Sequence, residues 1–98
     1  MTSVLNVYVP APTVLFQRFP DGAVLYTPSN ETYLGLNETG ARIWELLPRE
    51  GAEFEELLER VAALYPEAPS AELRTDLTDW LQALVEQQLA HVDVRTAA

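Results

Sequence analysis

LGLNETGARIWELL, residues 34–47, joins the end of a short apolar run to a helix whose start signal is complete. Asn37 is a good N-cap: its side-chain oxygen can accept a bond from an otherwise orphaned amide at Thr39 or Gly40. Glu38 then sits in the first turn, where the helix dipole favours an anion. Ala41, Ile43, Trp44, Leu46 and Leu47 follow at spacings that bury much of the helix circumference, with Trp44 expected in the core. Glycine inside a helix costs about 1 kcal/mol relative to alanine, so Gly40 predicts a close approach of this turn to a neighbouring strand or helix. A strand that feeds directly into a capped, tryptophan-bearing helix is the hinge of a small α+β domain.

Upstream, residues 13–19 and 23–27 have the composition of two strands, with Pro20-Asp21-Gly22 between them. Proline presets the first turn position, and glycine takes a left-handed or bulge position without penalty. Pro28-Ser29-Asn30 makes a second turn, in which Asn30 can adopt a positive φ. Residues 31–36 return as a third strand. Thr32, Leu34 and Leu36 share one face of it, and Glu31, Tyr33 and Gly35 the other. The result is a three-stranded antiparallel meander with the third strand at an edge. Residues 1–12, MTSVLNVYVPAP, have strand propensity at Val4, Leu5, Val7, Tyr8 and Val9 before Pro10 and Pro12 cut the run off. They read as an extra edge strand, an ordered arm or a loose tail.

Downstream, Pro48 and Gly51 break the first helix. A second helix is expected over 54–65, burying Phe54, Leu57, Leu58, Val61, Ala62 and Leu64. Pro66 and Pro69 end it, and Ser70 N-caps a third helix over 70–88. The apolar face of that helix is Leu73, Leu77, Trp80, Leu81, Leu84 and Val85. Residues 91–94 make a short closing strand or a fraying end. Three strands followed by three helices is an α+β order, and the last two helices read as a helix-turn-helix pair. The divisions are an arm or strand over 1–12, one domain over 13–94 and a tail over 95–98.

Ninety-eight residues, about half of them apolar, form one domain with one core. No apolar run approaches the ~18 residues of a membrane span and no leader resembles a signal peptide. With no cysteine, a cytoplasmic protein fits best. The net charge of -9, with every basic residue an arginine, disfavours nucleic acid, whose binding depends on neutralising phosphates. No enzyme motif, cofactor fingerprint or metal site stands out. His91 stands without a second histidine, and Glu53, Glu55, Glu56 and Glu59 read as a solvated face supported by a Glu56–Arg60 pair at i,i+4. Tyr33 is either a half-exposed aromatic or a ligand platform. Glu72, Asp76, Asp79 and Glu86 fall on one stripe of the third helix beside Leu73 and Trp80. Like charges at this spacing disfavour an isolated helix, so the stripe serves either a basic partner or solubility.

The order of elements, the phrase Leu36-Asn37-Glu38-Thr39-Gly40-Ala41-Arg42-Ile43-Trp44, the later Phe54-Glu55-Glu56-Leu57 and the closing Leu84-Val85-Glu86-Gln87-Gln88-Leu89 resemble the PqqD-like family. The resemblance covers roughly residues 13–90. It implies a winged-helix-like domain, a peptide-recognition element that does no chemistry and needs no cofactor. Such an element binds the leader of a precursor peptide for a separate modifying enzyme or leader peptidase, in pathways such as those of a quinone cofactor or a lasso peptide. In the family the leader adds a strand between the third strand and the third helix. Carried over by position, one wall would be Glu31, Thr32, Tyr33, Leu34, Gly35 and Leu36, and the other Leu73, Asp76, Leu77 and Trp80. The alternative is a winged-helix DNA-binding regulator, against which the single Arg74 amid acids of the third helix counts.

Overall fold

Asn37 caps the first helix as its side chain requires: Oδ1 accepts the Gly40 amide at 2.8 Å, and Glu38 occupies the first turn. The computed structural model in which this is seen describes residues 3–28 and 31–97. Strand β1 is Ser3–Pro10, β2 Leu15–Phe19, β3 Gly22–Thr27 and β4 Thr32–Asn37. Helix α1 (Glu38–Leu46) leads through β5 (Ala52–Glu53) into α2 (Phe54–Leu64), then α3 (Ser70–Glu86) and β6 (Ala90–Ala97).

The meander is present as an antiparallel sheet of order β2-β3-β4, with β4 at its edge. Its first strand starts at Leu15 rather than residue 13, because the Val14 amide bonds back to the Ala11 carbonyl and turns the chain there. Gly22 does not take the left-handed or bulge conformation expected of it. It pairs with Phe19 inside the ladder, and its bare Cα admits the backbone of β4, since a Cβ would lie 2.1 Å from the Leu36 carbonyl oxygen. The turn before β4 holds Glu31 at φ 51°, so the strand begins at Thr32 and not at Glu31. The positive φ expected of Asn30 falls outside the described residues.

A second sheet, of order β5-β1-β6, goes beyond the three expected strands. β1 is its central strand, paired with β6 along its whole length and with β5 at Val7 and Tyr8. The amino-terminal stretch is therefore neither a loose tail nor an edge strand. Pro10 ends β1 without breaking a bond: the Ala11 amide donates to the Leu89 carbonyl, which makes Pro10↔Ala90 a pair that exchanges no backbone bonds. The closing strand runs to Ala97, so the expected tail at 95–98 is strand over 95–97.

The helices form within one or two residues of expectation. Ser70 is the first helical residue rather than the cap; Pro69 stands at the N-cap with extended backbone, its carbonyl accepting the Leu73 amide. One core joins both sheets and all three helices, with Leu25, Leu57, Leu77, Leu81, Leu84 and Leu89 fully buried. Each such leucine contributes roughly 1.5–3 kcal/mol of apolar burial. Trp44 is only half-buried. It packs against this core at the rim of a hollow of ≈ 510 Å³ shared with Pro10, Pro12, Val14 and Phe16. Leu64, expected inside, is 41% exposed and is the last residue of α2.

Candidate functional site

The open edge of β4 is defined by elementary ladder geometry. A two-residue turn can close only on a pair that exchanges both backbone bonds, so Phe19 and Gly22 bond each other across the Pro20-Asp21 turn. Alternation along β3 then directs Ala23, Leu25 and Thr27 toward their partners Leu36, Leu34 and Thr32 on β4. The amides of Tyr33, Gly35 and Asn37 are left facing away from β3, along an edge that no described strand covers. An uncovered edge is a template for another chain, and natural proteins usually blunt it with charge, proline or bulges. β4 carries none of these.

Side chains divide between two faces. Leu34 and Leu36 turn inward with Leu25, into the cluster that also holds Leu77 and has Leu73 and Trp80 packed against it. Leu77 and Leu36 are buried; Leu34, Leu73 and Trp80 are half-buried. Tyr33 points the other way, 68% exposed, its ring 4.4 Å from that of Tyr26. Desolvation, with the neighbouring Tyr33, raises the Tyr26 pKa above its usual value. These two rings with Leu15, Phe19 and Val24 line a shallow apolar hollow on the outer face of the sheet.

Gly40 links the helix start to the third helix. A Cβ there would lie 3.2 Å from Trp80 Nε1, 3.3 Å from Asn37 Oδ1 and 3.4 Å from Leu36 Cβ. The close approach inferred from its position in the sequence is thus to Trp80 of α3 and to the end of β4 together. Trp80 Nε1 is buried without a hydrogen-bond partner among the described residues, a state that costs about 1–3 kcal/mol for a neutral donor.

Charge is distributed unevenly around this site. Arg18 and Arg42 hold Glu38, Arg60 reaches Glu56 at i,i+4, and Arg74 grips Glu55 with both terminal nitrogens at 2.7 and 3.1 Å. The Arg74 hydrogen bonds hold the Glu55 carboxyl below its usual pKa, and Glu55 raises that of Arg74 in turn. Arg74 also lies over the Phe54 ring at 5.5 Å. The glutamates of α2 are therefore a solvated surface, in which Glu55 and Glu56 are paired. Among the described residues no group of His, Cys, Asp and Glu could hold a metal ion, and His91 is exposed on β6. Glu72, Asp76 and Asp79 of α3 are exposed and have no cationic partner among the described residues.

Five of the ten candidate residues belong to the core or pack against it: Leu36 and Leu77 are in it, and Leu34, Leu73 and Trp80 lie against it. Tyr33 and Gly35 present backbone at the edge, Thr32 is turned to β3, Glu31 stands in the turn and Asp76 is exposed beside the cluster. Gly40 and Asn37, absent from that set, position Trp80 and the end of β4; the misplaced glycine after a cap was their signal in the sequence.

The family profile of coenzyme PQQ synthesis protein D (PqqD) matches residues 22–90. Among solved structures, the chain is similar to TbiB1 in complex with the TbiA(beta) leader peptide, with 33% identity and a TM-score of 0.71, over 84% of this chain and 93% of that one. No curated protein matches.

Proposed function

The chain belongs to the PqqD family, and from that premise we propose that it binds the leader of a precursor peptide as a strand added to β4, beside α3, without performing chemistry on it. The observation that carries this reading is the likeness to TbiB1, whose structure holds a leader peptide. The outward amides of Tyr33 and Gly35 give the ladder its direction and register. Each such bond contributes only about 0.5–1.5 kcal/mol net, so affinity comes mainly from apolar leader side chains seated on Leu34, Leu73 and Trp80. Asp76 and Asp79 at the margin favour a leader with basic residues. The captured leader is presented to a separate modifying enzyme or leader peptidase, in a quinone-cofactor, lasso-peptide or related pathway. Such precursors are made in the cytoplasm, and no helix among the described residues is long and apolar enough to cross a membrane.

Amide exchange with and without a synthetic cognate leader tests the site. Protection is expected along 33–37 and at the exposed turns of α3; protection on another surface alone would sink it. Proline scanning separates edge from ladder. Tyr33→Pro removes an outward donor and should weaken binding while the domain stays folded. Thr32→Pro disturbs the pairing with Thr27 and should lower stability itself. The DNA-binding reading has no support in charge, since Arg74, the sole arginine of α3, is held by Glu55. A mobility-shift assay at physiological salt should show no tight binding to duplex DNA.

A further inference from the structure

β6 is the second strand with an open edge, and it lies in the other sheet, away from β4. The Ala11–Leu89 bond fixes the parity of its ladder: His91, Asp93 and Arg95 exchange bonds with Val9, Val7 and Leu5 of β1. The amides and carbonyls of Val92, Val94 and Thr96 therefore point outward, to an edge that no described strand covers. Val94 is 64% exposed, Val92 is 41% exposed, and the strand contains no proline. On the opposite face Asp93 and Arg95 sit side by side, 3.0 Å apart and each about half exposed.

We propose that this edge pairs antiparallel with β6 of a second copy of the chain, on a two-fold axis at Val94. In that register Val94 exchanges both backbone bonds with Val94 of the second copy, and Val92 does so with Thr96 of the second copy, as the outward parity requires. Asp93 then stands directly opposite Arg95 of the second copy, and the reverse, at the more closely spaced non-bonded positions where opposite charges stabilise a pair. The two-fold makes the contact self-complementary, as an isologous interface must be. The neighbouring registers fail. Centring on Asp93 or Arg95 puts like charges opposite each other. Centring on Val92 sets Thr96 opposite Gln88 of the second copy, whose φ of 62° and amide already given to Val85 take it out of any ladder. A single strand pair buries less than the ~1,200 Å² of a standard stable interface, and two chains of net charge -9 repel. The dimer is accordingly weak, concentration-dependent and strengthened by salt. The β4 edge stays outside the contact, so each copy keeps its own.

Sedimentation velocity of the intact chain across a concentration series, at low and moderate salt, should show a reversible monomer–dimer equilibrium. Asp93→Arg alone and Arg95→Asp alone should each shift the midpoint at least tenfold toward monomer, while the double exchange Asp93→Arg/Arg95→Asp should recover it. Because the chain has no cysteine, Val94→Cys gives a single-site probe: α-carbons about 5.5 Å apart suit a disulfide. Mild oxidation should cross-link Val94→Cys efficiently and Val92→Cys poorly. Monomer at all concentrations, equal cross-linking at both sites, or a dimer indifferent to all three charge variants would each overturn the proposal. Circular dichroism of every variant, expected to be unchanged at these exposed positions, keeps loss of pairing distinct from loss of fold, and a variant that unfolds is replaced by amide exchange of Val92, Val94 and Thr96 in the unmodified chain, where protection that does not rise with concentration also overturns it.

Discussion

Helices α2 and α3 both place leucines in one core and acids on the outside, yet their outer surfaces are built differently. On α2, Glu55 and Glu56 are answered by Arg74 and Arg60, and the ion pairs close the surface on itself. On α3, Glu72, Asp76 and Asp79 receive no arginine, although they flank the half-buried Leu73 and Trp80. Six arginines serve fifteen acids in this chain, and those that pair do so with acids of α1, α2 and β6 rather than with Glu72, Asp76 or Asp79. The difference teaches that acidity alone does not mark a site; what supports the proposed one is unanswered acidity beside half-buried apolar residues and an open strand edge.

The comparison breaks first at the core if it is wrong. Leu57→Ala in α2 and Leu77→Ala in α3 should cost alike, about 2–5 kcal/mol each, as read from denaturant midpoints. A marked inequality would mean that the helices differ beneath the surface as well as on it. Gly40→Ala should sharpen the role of α3. Helix propensity gains about 1 kcal/mol, while the added methyl crowds Trp80 Nε1 and Asn37 Oδ1. Stability should therefore change by less than about 1 kcal/mol, and leader affinity should fall because Trp80 must tilt; calorimetry and thermal melts separate the two.

Asp76→Asn with Asp79→Asn should weaken leader binding modestly and flatten its salt dependence, since partly exposed pairs are screened over about 8 Å at physiological ionic strength. Titrations at two salt concentrations check this, and identical curves for both forms would return the stripe to solubility. The smallest effect belongs to α2. Glu55 has a depressed folded-state pKa, so its pairing with Arg74 supports the fold above the ordinary glutamate pKa and is lost as pH falls through the folded value. Glu55→Gln should remove that acid-side slope from a stability–pH profile, with little change near neutrality because exposed pairs contribute little. Leader binding should not respond.

Much of this was legible because the signals are local. Asn37 followed by Glu38, the Pro20-Asp21-Gly22 turn and the leucines of α3 each act within a few residues, and each folds nearly as read. The second sheet was not legible for the opposite reason. β5 is two residues long and carries no period, while β1 and β6, each readable as a possible strand, give no local sign that they pair with each other. Pro10 read as a breaker, because nothing local says that it falls where β6 asks for no donor. Trp44 read as core from helical spacing, which places a residue on a face but not at a depth. At the candidate site the apolar members were recoverable by period. The outward amides of Tyr33 and Gly35 needed the strand register, and the seat that Gly40 gives Trp80 needed the tertiary approach.

The zip between β1 and β6 also sets an order in time. Ser3 pairs with Ala97 and Pro10 with Ala90, so the first of the described strands to be made is partnered by the last of them. Until residues 90–97 are made, β1 has only the two residues of β5 to pair with. Contacts this distant in sequence are made late and slow the folding of the whole. The meander and the three helices, built from near neighbours, can assemble first. The fold then finishes by drawing β1 and β6 together.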